Sequence, residues 1–194
     1  MARPKEFDRE EAVKRAMVVF WEKGYEATST DDLLRAMGIG RQSMYDTFGD
    51  KHRLFLEALQ RYQAENAAGL MERLRSEPSP LAALEQVFLV IANESPAERA
   101  RGCLGVNAIT ELARVDPEVA SVSRAAAMTC EAAFERVVRE AKRKGEVRAS
   151  VDERQAGRFL LTALQGLRVT AKAGASPEAL REVASFTVSG LRAR

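Results

Sequence analysis

The chain has 194 residues, of which 46% are hydrophobic and 30% charged, with a formal net charge of +2. That is enough apolar material for one large domain, or for a small domain joined to a larger one, and the charged share is that of a water-soluble protein. Two cysteines without a CxxC exclude a disulfide framework and a cysteine-rich zinc site, and no apolar run approaches the roughly 18 residues of a membrane span.

Helical spacing then dominates from end to end. Val13, Ala16, Met17, Phe20 and Trp21 make one apolar stripe, and Gly24 closes that first helix as a left-handed cap. Ser29 and Asp32 form a variant capping box for a second helix, whose buried side is Leu33, Leu34 and Met37 and whose end is Gly38. A third, short helix covers Arg41 to Phe48, with Met44 and Phe48 facing inward and Gly49 as its stop. Asp50 caps a long fourth helix through Leu54, Phe55, Leu59 and Met71 to about Arg75. Ser76 to Pro80 is a break. A fifth helix follows over Leu81–Asn93, then a polar loop from Ser95 to Gly102, then a sixth helix over Cys103–Ala113. Asp116 caps a seventh, with Pro117 at its first position, ending at Gly145. Asp152 starts an eighth to about Ala173, and Ser176-Pro177 starts a ninth to about Leu191. The expected fold is all-α with about nine helices: an N-terminal three-helix domain over 1–50 and a larger helical domain over 51–194.

The stretch from Ala27 to Phe55 carries the function. A helix, the tight turn Met37-Gly38-Ile39-Gly40 and a second helix give a helix-turn-helix layout, whose second helix sets its first residues at base edges in the major groove. Arg41 and Gln42 each have the paired hydrogen-bonding groups that suit guanine and adenine. Ser43, Tyr45 and Thr47 offer hydroxyls. Lys51 sits at a helix start, a natural phosphate seat flanked by His52 and Arg53, and Thr28 stands at the start of the second helix in the same way. Arg3 and Lys5 make a short basic arm of the kind that enters a minor groove, against the plainer reading of a frayed terminus. Bulk charge says nothing here: residues 1–60 hold ten Lys and Arg against eleven Asp and Glu.

Phe20-Trp21-Glu-Lys-Gly-Tyr25, Ala27-Thr28-Ser29, Met37-Gly38-Ile39 and Ser43-Met-Tyr45-Asp-Thr-Phe48-Gly-Asp-Lys51 form an ordered set. By it, Phe7 to Leu59 resembles the DNA-binding domain of the tetracycline-repressor (TetR) family. The resemblance implies that Tyr45 and Lys51 grip phosphates and that Arg41, Gln42, Ser43 and Thr47 face the groove of a double-stranded operator. Gly40 stands where the family often has a serine cap, and Asp46 and Thr47 where it often has bulkier aromatic or basic residues; both bear on which operator is read. The resemblance further implies repression relieved by a small-molecule effector that shifts the fourth helix.

A dimeric reader needs two half-sites, so the chain must pair with itself. Two stripes on the last two long helices are the expected homodimer surface, forming a four-helix bundle between two copies. They are Phe159, Leu160, Ala163, Leu164, Leu167 and Ala171, and Leu180, Val183, Ala184, Thr187 and Leu191. Gly157, Ala163 and Gly166 allow close approach; the alternative is burial of both stripes within one subunit. Candidate effector-lining residues are Met71, Phe88, Ile91, Cys103, Asn107, Met128, Phe134 and Gln165. Arg99 and Arg101 precede Cys103 at a helix start, which keeps open a thiol-based oxidant or electrophile sensor, against an inert buried residue.

An enzyme is not expected. The single histidine is His52, and no Ser/His/Asp set, HExxH, glycine-rich phosphate loop or cysteine pair is present. No cofactor, metal or membrane partner is implied. The first residues, Met-Ala-Arg-Pro-Lys-Glu, hold no apolar secretory core, so a cytoplasmic protein with reduced thiols is expected. A helical interaction protein without DNA binding is the remaining rival, and it leaves the ordered turn motif unexplained.

Overall fold

The computed structural model describes residues 7–193. Among these, ten α-helices and no strand are found: α1 (Arg9–Lys23), α2 (Thr30–Met37), α3 (Arg41–Phe48), α4 (Lys51–Arg73), α5 (Pro80–Asn93), α6 (Pro96–Arg101), α7 (Leu104–Leu112), α8 (Pro117–Arg143), α9 (Glu153–Lys172) and α10 (Pro177–Ser189). The all-α expectation holds. The stretch read as a polar loop after Ser95 is instead a helix, α6. Its cause is local: Ser95 and Glu98 make a reciprocal capping box, with Pro96 in the first turn.

The chain divides into two compact units. Of the described residues, the first unit takes those up to Gln63 together with Cys103–Ser123; the second takes Ala64–Gly102 and those from Arg124 onward. The division therefore cuts α4 and α8 rather than falling near residue 50. The reason lies in what the first turns of α4 bury: Leu54, Phe55, Ala58, Leu59 and Tyr62 share one core with Phe20, Leu33, Met44 and Phe48. Leu104, Ala108, Leu112 and Val119 complete that core from α7 and the start of α8. Fully burying each of the leucine, valine and phenylalanine side chains among them stabilises by about 1.5–3 kcal/mol.

In the first unit, Asp8 caps α1 by accepting from the amides of Glu10 and Glu11. Trp21 is only half-buried and lies edge-on to Tyr62, with ring centroids 4.8 Å apart. Gly24 ends α1 with φ +81° and ψ 175°, so its φ is positive as expected, but its ψ is extended rather than left-handed helical. Ser29 and Asp32 bond reciprocally at the start of α2. Lys23 Nζ reaches the same carboxylate at 2.8 Å. With Lys23 first and the Ser29 hydroxyl and amide next, these donors hold Asp32 far below the usual carboxylate range.

In the second unit, α5 packs on α9 and α10, and α6 on α9. The centre is Phe88, Ile91, Phe134 and Leu160, all fully buried. Glu146 ties its ends together, accepting from the Ser79 hydroxyl at 2.8 Å and the Leu81 amide at 2.9 Å. No described helix is long and apolar enough to cross a membrane.

Candidate nucleic-acid interface

The turn between α2 and α3 works because Gly38 takes φ +69° and ψ 33°, left-handed values that a side chain opposes. Its amide donates to Leu34 O at 2.9 Å, which closes α2. Gly40 then enters α3 extended and without a side-chain cap bond. Met44 and Phe48 turn into the core and fix the rotation of this two-turn helix. The opposite face is set by the 3.6-residue period: Arg41, Gln42, Tyr45 and Asp46 are exposed, while Ser43 and Thr47 are half-buried at its flanks.

Neither base-reading candidate is idle. Arg41 Nη2 donates to Asp31 Oδ1 at 2.6 Å, and Gln42 Nε2 donates to Asp46 Oδ1 at 2.8 Å. Lys51 Nζ lies 4.3 Å from the centre of the Tyr25 ring, which holds the cation at the α4 start by a cation–π contact. Burial first, then the charges of Glu26, Asp50 and Asp116, raises the phenol of Tyr25 above its ordinary pKa and keeps it neutral.

Two residues placed at the interface from sequence sit differently. Thr28 is buried, and its hydroxyl donates to Gly24 O at 2.5 Å, so it shapes the α1–α2 turn. His52 faces the start of α8, with Nε2 2.6 Å from Asp116 Oδ2 and Nδ1 3.9 Å from Glu118. Arg3 and Lys5 lie outside the described residues. Sequence reading missed the bonds that tie Arg41 to Asp31 and Gln42 to Asp46. Asp46 was legible in principle, four residues beyond Gln42 on one helix face; Asp31, across the turn, was not. Glu111, a capping or solvated carboxylate by sequence, accepts from the amides of Tyr25 at 3.0 Å and Glu26 at 2.8 Å.

The effector candidates do not form one group within either unit. Cys103 and Asn107 belong to the first unit, where Cys103 is the N-cap of α7 without a side-chain cap bond and both are half-buried. In the second unit, Phe88, Ile91 and Phe134 are core, and Phe88 and Phe134 stack at 6.4 Å. Gln165 is half-buried on α9. Met71 and Met128 line an open cavity of about 640 Å³ with Thr129, Ala132, Glu135, Arg136 and Arg139.

The stripes read as a dimer surface are rotated from expectation. Leu160, Leu167, Ala171, Leu180, Ala184, Thr187 and Leu191 are buried within this chain. A Cβ at Gly157 would meet Glu131 O at 2.9 Å, so that glycine serves the packing of α9 on α8. What α9 and α10 leave exposed is Phe159, Val169, Val183 and Phe186, the last 80% exposed, and nothing lies within 4 Å of a Cβ built at Gly166.

Against known proteins, the profile described as "Bacterial regulatory proteins, tetR family" matches residues 12–58, and that described as "Tetracyclin repressor-like, C-terminal domain" matches residues 79–187. The HTH-type transcriptional regulator YezE of Bacillus subtilis is 37% identical, over 98% of this chain and 100% of its own length. The HTH-type transcriptional repressor ComR of Escherichia coli is 33% identical, over 96% of this chain and 90% of its own. Among solved structures, a cysteine mutant of the TetR family transcriptional regulator CifR, in complex with 26 bp double-strand operator DNA, matches with a TM-score of 0.84 at 30% identity. That match covers 98% of this chain and 100% of the other.

Proposed function

This chain belongs to the TetR family of bacterial transcriptional regulators, and on that premise we propose that it reads operator DNA through α3 as a homodimer and is released by a small-molecule effector. The observation that carries the reading is the outward face of α3, with Arg41, Gln42 and Tyr45 exposed over the buried Met44 and Phe48. Arg41 and Gln42 read base edges, Ser43 and Thr47 reach the groove walls, and Tyr45 and Lys51 hold phosphates. That CifR, a relative at 30% identity, is complexed with operator DNA supports the DNA-binding part of this reading. Thr28 acts by shaping the turn before α2, and His52 by fastening α4 to the start of α8. The matched domains and relatives are regulators, not enzymes, and the protein works in the cytoplasm beside its DNA.

The apolar face of Phe159, Val169, Val183 and Phe186 is the pairing surface, with Gly166 leaving room for close approach by the second copy. The effector enters the second unit at the cavity of Met71 and Met128. A near-complete switch needs about 5.5 kcal/mol of differential affinity between the DNA-bound and released states.

The test is selection from a random-oligonucleotide pool, followed by a salt titration on the selected duplex. The reading expects a two-fold symmetric site with half-sites related by whole helical turns, bound far more tightly than scrambled duplex. Arg41→Glu is expected to abolish that preference while leaving helicity and the dimer intact. A protein that enriches no sequence would refute it.

A further inference from the structure

The two side chains best suited to read bases are each held by an acid, and the two acids come from different helices. Asp31, in the first turn of α2, accepts from Arg41 Nη2 at 2.6 Å. Asp46, one turn further along α3, accepts from Gln42 Nε2 at 2.8 Å. We propose that Asp31 and Asp46 are specificity-determining residues of the DNA-reading surface, which aim Arg41 and Gln42 at base edges and keep them off phosphates. The proposal rests on the reading of α3 as the DNA-contacting helix and adds a role for two residues that carry the wrong charge for DNA.

The chemistry of the donors supports it. An unrestrained guanidinium on an exposed stem binds any phosphate, and phosphates carry no sequence information. With Asp31 on one Nη, an approaching phosphate meets a carboxylate as well as a cation, whereas the neutral O6 and N7 of guanine do not suffer that repulsion. The remaining N–H groups of the fork still offer guanine a paired contact. Gln42 gains something different. A free amide presents either end outward with equal ease. Asp46 accepts only from the NH2 end, so the amide cannot turn over. One N–H and the carbonyl then remain for adenine N7 and N6, the pair of groups that adenine matches.

The charge around these pairs agrees. Residues 1–60 carry ten Lys and Arg against eleven Asp and Glu, so the head gains little from sequence-blind attraction. Arg41, Asp31, Gln42 and Asp46 are all exposed. Exposed pairs of this kind contribute little to folding, so their effect falls on the choice between DNA sequences.

The experiment compares wild type, Asp31→Asn and Asp46→Asn on the duplex that wild type selects from a random pool and on a scrambled duplex of equal length, across a salt series. Each variant is expected to tighten binding to scrambled DNA and to lower the selected-to-scrambled ratio by about tenfold, the scale of one paired base contact. In an Arg41→Ala background, Asp31→Asn is expected to leave the ratio unchanged. Glu22→Gln removes the same charge from the exposed side of α1 and is expected to spare the ratio. A ratio unmoved by both aspartate variants, or lowered as much by Glu22→Gln, overturns the proposal while a selective wild type leaves the DNA-reading function standing. A wild type that selects no sequence overturns both.

Discussion

The ring of His52 and the carboxylate of Asp116 meet at 2.6 Å across 64 residues of sequence. The other oxygen of Asp116 accepts from the amides of Glu118 at 3.0 Å and Val119 at 3.1 Å. One carboxylate thus caps α8 and fastens the first turn of α4. Partial burial pushes its pKa up, but the Val119 amide, the His52 ring and the Glu118 amide together bring it below the ordinary value.

Asp116→Ala is expected to destabilise the protein by about 1–2 kcal/mol, the scale of a lost N-cap with one further hydrogen bond. Its folded pKa is depressed, so its contribution is full above the ordinary aspartate pKa of about 4 and is lost as pH falls through the lowered folded value. Urea titrations at neutral pH and at successively more acidic pH check this: the gap between wild type and variant is expected to narrow with acidification. A gap that widens contradicts the sign.

Asp32 behaves in the same direction for a different reason. Lys23 and the Ser29 hydroxyl and amide stabilise its charged form at the start of α2. Asp32→Ala is expected to lower the thermal midpoint at neutral pH, with the deficit persisting well below the ordinary aspartate range before it fades. Lys23→Met is expected to bring the fade to higher pH. NMR titration of the Asp32 carboxyl carbon reads the shift directly.

Gly24 and Glu111 form a second long-range joint. Glu111 holds the Tyr25 and Glu26 amides, and a Cβ at Gly24, where φ is +81°, would lie 2.9 Å from Glu111 Oε2. Gly24→Ala is expected to cost about 1–3 kcal/mol through backbone strain. Glu111→Ala, at an exposed carboxylate that water can replace, is expected to cost about 0.5–1 kcal/mol. Equilibrium unfolding that ranks them in the opposite order would show that the carboxylate, not the backbone, holds this turn.

Phe186 is 80% exposed and Phe159 52%. Phe186→Asp is expected to give a monomer in sedimentation while changing the stability of the isolated chain by less than about 0.5 kcal/mol, as for other surface sites. Binding to the selected duplex is expected to fall steeply because one half-site then acts alone. A Phe186→Asp protein that remains dimeric would place the pairing surface elsewhere.

Much of this molecule is legible where the governing interaction spans one helical turn. Ser29 with Asp32, Gly38 at its stop, and Met44 with Phe48 are three or four residues apart or fewer, and spacing alone finds them. The same rule was available for Ser95 and Glu98, yet the polar character of that stretch concealed α6. Spacing fails where tertiary packing chooses. On α9, Phe159, Leu160, Leu161, Ala163, Leu164 and Leu167 offer more than one apolar face, and only the packed second unit decides that Leu160 and Leu167 go inside and Phe159 stays out. The partners of His52 and of the Tyr25 amide lie 64 and 86 residues away, beyond any local pattern. Thr28 is set by tertiary packing too: a hydroxyl at a helix start suits a phosphate and a carbonyl equally well, and here it is buried and donates to Gly24 O.

Leu104, Ala108, Leu112 and Val119 close the core that begins with Ala12, and this orders events on the ribosome. The reading helices leave the exit tunnel early, but the wall that seals them is translated only after α4, α5 and α6 have been made. Until about Ser123 has emerged, the nascent head keeps part of its apolar interior open to water and to chaperones. Competence to grip an operator is therefore expected late in synthesis, once α7 and the start of α8 have joined the core.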